Sequence, residues 1–421
     1  MKEHAESRAP IALFVYKRLW HTQQTIEALQ KNRLAQEIEL FIFSDGARGA
    51  ADAGDVQAVR DYVHRVDGFR HVTVVERGKN VGLADNIISG VTEVVNRYGR
   101  IIVMEDDIVT TPYWLDYMND ALDAYEDEPA VWEISGTVEP YQVLKEAATK
   151  DTFFLHQAQC CGWATWADRW QHYQREPEAT LRRYQTQEKA RWLDERDCPG
   201  TWQQVVQNCT GQLRTWAVFW DITILEHDGL VLWPRYSMQK NIGFDGSGEH
   251  CGSLPGRQEM HLEDVYPMQL AGCAELDDEM SQYLHDSIFA RKERLDAFLA
   301  GCSSVVIYGA GAYGRRVLRY LQSRHVPVSR FVVTSAEHPA SVDGIPVASA
   351  DTLQPDDNVI AALSQNWHED VRMLLGRRGV KRAFYIDGLL AAILMTEVFD
   401  PMHIQSILNK HMNYAGGYGM I

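Results

Sequence analysis

Short apolar runs of strand length alternate with stretches of helical spacing along the first third of the chain. Pro10 to Tyr16 is the first apolar run, and Ile26, Leu29 and Leu34 then recur at helical spacing within 22–34. A second run, 38–43, stops at the turn signal Ser44-Asp45-Gly46 and is followed by a helical stretch over 56–66. Residues 72–75 read as a third strand and 83–98 as a helix. Residues 101–104 form a fourth strand that runs straight into Glu105-Asp106-Asp107. Such alternation predicts a doubly wound α/β sheet, in which ligands sit beyond the carboxyl ends of the strands. The polar residues at those ends are therefore the candidates for chemistry.

The pattern changes after Gly256. Residues 257–300 read as a connector, acidic at first and then helical over 287–300. A second α/β unit begins at 304–308, followed by a turn with Gly309, Gly311 and Gly314 and a helix over 315–322 with Val317, Leu318 and Leu321 apolar. Strand, GxGxxG turn and helix together predict a Rossmann-type unit that could bind a cofactor through those glycines. The Asp or Glu that an NAD ribose wants after the second strand is missing, because Phe331-Val332-Val333 ends in Thr334-Ser335. NAD(P) is accordingly not expected, and a binding, regulatory or structural module fits better than a dehydrogenase. Further strands are expected at 343–347, 358–363 and 382–386. The domain boundaries expected from this pattern are 1–256, 257–300, 301–388 and a helical tail over 389–421.

Composition narrows the classes. The 421 residues carry a formal net charge of −17, which argues against nucleic acid as the main ligand. Seven scattered cysteines without C-x-x-C spacing suggest neither a disulfide framework nor a zinc site. The apolar runs fall far short of the ~20 residues a membrane span needs. A cytoplasmic protein is expected, with peripheral contact at the inner face of a membrane left open. Self-association through the tail is also open, packing against the second unit being the default.

The acidic triplet is the sharpest local feature. Three adjacent carboxylates repel one another unless a cation or a helix N-terminus offsets them. Mg²⁺ or Mn²⁺ prefers such hard oxygen ligands and commonly shares them with substrate phosphates. The plainer alternative is a solvated acidic turn before the helix that starts near Pro112.

Taken in order, Tyr16-Lys17-Arg18, Ser44-Asp45-Gly46, Asn80-Val81-Gly82-Leu83 and Glu105-Asp106-Asp107 resemble a GT-A-fold glycosyltransferase. More narrowly, the region resembles the inverting N-acetylglucosaminyltransferase I type and related bacterial sugar transferases. Three downstream stretches extend the likeness to about residues 10–255: Cys161-Gly162-Trp163-Ala164-Thr165-Trp166 followed by Asp168-Arg169-Trp170, Phe219-Trp220-Asp221, and Trp233-Pro234 to Gly252, which includes 241–250 with His250. The second unit resembles the small Rossmann-like domains attached to bacterial sugar-modifying enzymes, including the nucleotide-sugar-binding domain of sugar acetyltransferases.

The resemblance implies roles. Arg18 would lie by the nucleotide, Asp45 would accept from a uracil imide, and Asp106 would bind ribose hydroxyls. Glu105 would bond hydroxyls of the donor sugar, and Asp107 would be the protein's carboxylate on Mn²⁺ or Mg²⁺. Asn80 and Gly82 precede a helix whose N-terminus suits anion or sugar contacts, or is an ordinary turn. Asp221 would be the catalytic base, with Glu226, Asp228 and Asp168 as competitors. His250 would touch phosphate or metal, or be merely exposed. Ten of the twelve tryptophans lie in the middle of the chain, and Trp163, Trp166 and Trp220 are the ones expected to offer faces to a sugar acceptor. The function expected is inverting, metal-dependent transfer from a nucleotide-sugar, UDP-linked, to a glycan or lipid-linked acceptor in bacterial polysaccharide synthesis. The alternatives are a non-catalytic nucleotide-sugar-binding or sensor protein and an NAD(P)-dependent sugar-nucleotide oxidoreductase.

Overall fold

The computed structural model describes residues 8–138, 142–196, 200–248, 262–364, 367–397 and 399–415. The chain folds as two compact units, one of residues 1–175 and 214–284, the other of 176–213 and 285–421. The second unit thus takes its first segment from the middle of the chain. This differs from the linear boundaries expected at 256 and 300.

In the first unit, β1 (Ile11–Val15), β2 (Glu39–Ser44), β3 (His71–Glu76) and β4 (Arg100–Glu105) alternate with α1 (Leu19–Gln30), α2 (Ala50–Val63) and α3 (Leu83–Tyr98). All five residues of β1 are buried. A strand covered on both faces has no reason to alternate, which is why the sequence shows a continuous apolar run. On α3 the buried set Ile87, Val91, Val94 and Val95 forms the inward stripe. The chain continues through β5 (Ile108–Thr110), α4 (Trp114–Ala124), β6 (Val131–Ser135), α5 (Gln142–Ala147), β7 (Thr152–Leu155), β8 (Trp163–Trp166) and the single turn α6 (Ala167–Trp170). After residues 176–213 it resumes with α10 (Ala217–Glu226), β9 (Leu230–Pro234) and β10 (Gln239–Asn241).

The main sheet runs β3-β2-β1-β4-β8-β6-β9-β7, and β5 pairs with β10 in a separate two-stranded ribbon. Strands β3, β2, β1 and β4 are mutually parallel, and β8 enters antiparallel to both β4 and β6. The order reverses at β1, between β2 and β4, and in such sheets the ligand crevice is the one beyond the carboxyl ends of the strands at the reversal, here β1 and β4. Arg18 follows the first of these strands and Glu105-Asp106-Asp107 ends the second.

The second unit collects α7 (Pro177–Arg183), α8 (Gln187–Arg196) and α9 (Thr201–Cys209) with β11 (Val305–Tyr308), α12 (Ala312–Ser323), β12 (Val328–Val333), β13 (Ser341–Val342), β14 (Ile345–Ser349), β15 (Asn358–Ala362), α13 (His368–Arg377), β16 (Arg382–Ile386), α14 (Gly388–Glu397) and α15 (Pro401–Ala415). Helix α11 (Asp278–Ala300) carries the chain from the first unit into the second. The six-stranded sheet runs β13-β14-β12-β11-β15-β16 and is parallel except for β13. Gly309 has φ +102°, and a Cβ there would come within 2.7 Å of the Ala362 carbonyl oxygen. A Cβ on Gly314 would overlap the Gly309 carbonyl. The glycines of this turn let α12 close tightly on β11. Among the described residues, no helix is long and apolar enough to cross a membrane.

Candidate active site

The crevice is built around an arginine held by two aspartates. Arg18 donates through Nε to Asp106 Oδ2 at 3.3 Å and through Nη2 to Asp106 Oδ1, and Nη2 also reaches Asp107 Oδ2 at 2.8 Å. Asp106 and Asp107 are 5% and 4% exposed. Burial pushes the Asp106 carboxyl up to about 6, with Arg18 opposing the rise and Asp107 adding to it. Burial works against the charge on Arg18, but the two carboxylates more than offset it and raise its pKa. Burial also pushes the Glu105 carboxyl well above the usual range, helped by the charge of Asp107.

The backbone under this cluster is pinned from both sides. Thr25 Oγ1 donates to the Asp106 carbonyl at 2.9 Å, and the Ile242 N–H donates to the Asp107 carbonyl at 2.8 Å. Through β5 and β10 the start of the Gly-rich stretch is laid over the acidic pair. Gly243 sits so close that a Cβ would overlap Asp107 Oδ2 and Arg18 Nη1. His21 Nε2 lies 3.1 Å from Asp245 Oδ2, tying the same stretch to the start of α1. His250 lies outside the described residues.

Among the described residues, two polar atoms at the centre of this cluster have no hydrogen-bond partner: Asp107 Oδ1 and Arg18 Nη1. One is an acceptor and the other a donor, and both are buried. Leaving such groups unmatched costs about 1–3 kcal/mol each, more when charged. They fit a ligand that brings a cation to the carboxylate and an anionic oxygen to the guanidinium, which is what a divalent metal with a phosphate supplies. Among the described residues no group of three or more His, Cys, Asp or Glu is placed to hold a metal by itself. A metal bound here would therefore rest on Asp107 with its ligand completing the shell.

Asp45 is placed differently from the expected base contact. Its Oδ1 accepts from the N–H groups of Gly46 at 2.8 Å and Val81 at 2.9 Å. Its Oδ2 accepts from the Gly82 N–H at 2.9 Å and Asn80 Nδ2 at 3.0 Å. A carboxylate offers about four acceptor sites, so none is left for a uracil imide. Asp45 is a brace between the loops after β2 and β3, and Asn80 and Gly82 are its partners. Asn80 adds a bond from Nδ2 to the Gly46 carbonyl at 2.8 Å.

The three tryptophans expected on the acceptor side also require correction. Trp163, Trp166 and Trp220 are 0%, 2% and 1% exposed. Trp163 stacks on Trp216 at 5.3 Å between ring centroids and packs against Trp220 at 5.9 Å. Arg169 lies over the Trp166 ring. These rings form the core behind β8, and none of them presents a face to a sugar.

Asp221 lies on α10, partly exposed, one residue after the buried Trp220. Its charge reaches Cys160. The Cys160 thiol is pushed well up, first by its hydrogen bond with Cys161, with Glu105 and Asp221 contributing. The charges of the carboxylate at the end of β4 and of the one on α10 thus both act on this thiol. Cys160 itself is exposed and Cys161 half-buried. Neither cysteine was singled out from the sequence, where an adjacent pair without metal-ligand spacing carries no signal. Glycines Gly309, Gly311 and Gly314 belong to the other unit.

No family model matches the chain, and no curated protein does. Among solved structures the chain is similar to S. aureus TarS at 15% identity and a TM-score of 0.23, over 30% of this chain and 21% of that one. The matched part spans about a fifth of TarS. A likeness this short and loose assigns no function.

Proposed function

We propose that the first unit is a glycosyltransferase of the inverting GT-A type that takes a nucleotide-sugar with its divalent metal. The observation that carries this reading is the buried pair of unmatched atoms, Asp107 Oδ1 and Arg18 Nη1, at the switch point of the sheet. In the proposed mechanism Asp107 would hold Mn²⁺ or Mg²⁺, and such an ion offsets the charge that develops on a diphosphate leaving group. Arg18 Nη1 donates to a phosphate oxygen while Asp106 keeps the guanidinium oriented. Glu105 bonds a hydroxyl of the donor sugar. Asp221 takes the proton from an acceptor hydroxyl as that oxygen attacks the anomeric carbon, and the bond to the diphosphate breaks on the opposite face. One displacement inverts the configuration. A UDP-sugar as donor and a glycan or lipid-linked sugar as acceptor extend the same reading.

Thermal shift with UDP and a panel of UDP-sugars, with and without Mn²⁺, tests it. A ligand that binds only the native state raises the melting temperature, so nucleotide and metal together are expected to raise it more than either alone. No rise with any combination would sink the reading. Turnover without metal or with Asp221→Ala at the wild-type rate would sink its mechanism. A non-catalytic binding protein would show the shift and no transfer.

A further inference from the structure

Glu133 is a carboxylate that the mechanism above does not use, and it is fully buried in the middle of β6 at 0% exposure. Its Oε2 accepts from the Trp220 indole Nε1–H at 2.7 Å. Its Oε1 accepts from the Gln159 backbone N–H, also at 2.7 Å. Both are short bonds to a buried charge, the strong kind. The first bond fixes the azimuth of α10 at the residue immediately before Asp221. The second fixes the loop that runs into Cys160 and Cys161 ahead of β8. A single side chain thus ties α10 to the loop that leads into β8.

We infer that Glu133 is a positioning residue for the transfer reaction, acting on Asp221 through Trp220. This rests on the reading of Asp221 as the base. The alternative of a plain core contact does not account for a buried carboxylate where an apolar residue would fill the strand at lower desolvation cost. Glu133 fits the task because one of its oxygens accepts from an N–H on the helix and the other from an N–H on the loop. Gln cannot replace it, since its amide would turn an NH₂ group toward one of two donors.

The experiment uses the full chain and compares wild type, Glu133→Gln, Asp221→Ala and the double variant in a transfer assay. Displacing a catalytic group by about 1 Å can cost on the order of a hundredfold. Glu133→Gln is therefore expected to lower kcat at least about tenfold while the donor KM stays within about twofold of wild type. In the Asp221→Ala background the same change is expected to add little, because its effect travels through the absent carboxylate. Trp220→Phe removes the indole donor together with part of the ring packing and leaves Glu133 in place, so it should reproduce part of the kcat loss should the glutamine variant fold poorly. Wild-type kcat in both Glu133→Gln and Trp220→Phe overturns the inference, as does an undiminished effect of Glu133→Gln on the residual activity of Asp221→Ala. Full transfer by Asp221→Ala alone overturns the base assignment, which separates failure of that reading from failure of this one.

Discussion

Arg18 decides what the adjacent carboxylates can do. With its Nε and Nη2 spent on Asp106 and Asp107, the cluster can bury two acids that would otherwise repel one another. The remaining Nη1 and the remaining Asp107 oxygen are the two atoms left for a ligand. Asp107→Asn should keep the fold, because the amide oxygen can still accept from Arg18, but it should abolish the extra thermal shift that Mn²⁺ gives to UDP. At a hundred times the Kd of the metal-bound nucleotide the whole stabilisation is about 2.7 kcal/mol in the wild type, and the Mn²⁺-dependent part of it is what the variant should lose. A second variant probes the ceiling of the site. Gly243→Ala forces a methyl group against Asp107 and Arg18, so nucleotide affinity should fall at least about tenfold by isothermal titration. A variant that bound UDP with wild-type affinity would mean that the Gly-rich stretch does not cover the ligand.

At the scale of elements, the loops after β2 and β3 act as one body because Asp45 accepts from both. Removing this carboxylate, itself 4% exposed, takes the acceptor from three backbone N–H groups and one of two bonds from the Asn80 amide. Asp45→Ala should therefore destabilise the first unit by several kcal/mol, at about 1–3 kcal/mol for each donor left buried and unmatched. Asn80→Ala removes one donor and two bonds and should cost less, about 1–2 kcal/mol. Urea unfolding of the two variants checks the order. If Asp45→Ala unfolded like wild type but lost uridine binding, the brace would be the wrong account and the base contact the right one. The sequence made Asp45 visible, since a lone acid after an apolar run stands out, but it could not show the task. Its partners Val81 and Gly82 are backbone donors about thirty-five positions away, and a backbone N–H leaves no mark in composition. The tryptophans misled for a related reason: aromatic content is the same whether a ring lines a cleft or fills a core. Glu133 carries no signal in the sequence, because one acid among apolar residues does not show that β6 is buried along its whole length. The first four strands and the acidic triplet were legible, because each depends on local runs of apolar residues and the polar residue that ends them.

The division of the whole molecule depends on contacts that no local pattern reveals. Helices α7, α8 and α9 interrupt the first unit in sequence yet belong to the second, where α14 packs on α8 and α9 and α15 packs on α7. Their inward residues Leu181, Leu193, Trp202 and Val205 are buried there. A chain shortened to end at residue 284 would keep these three helices and lose α14 and α15, exposing a contiguous apolar face. Such a chain should aggregate. The two points where the insertion leaves the first unit are close together, since Arg175 Nε donates to the Thr215 carbonyl at 2.9 Å and Tyr173 to the Trp216 carbonyl at 3.1 Å. A short Gly/Ser linker in place of 176–213 can therefore close the gap with little strain, and the closure entropy of a short loop is small. The shortened chain carrying that linker should stay monodisperse by size-exclusion chromatography and still show the Mn²⁺-dependent shift with UDP, while the version that keeps 176–213 should not. If both behaved alike, the insertion would owe its stability to its own contacts, and its assignment to the second unit would have no energetic meaning.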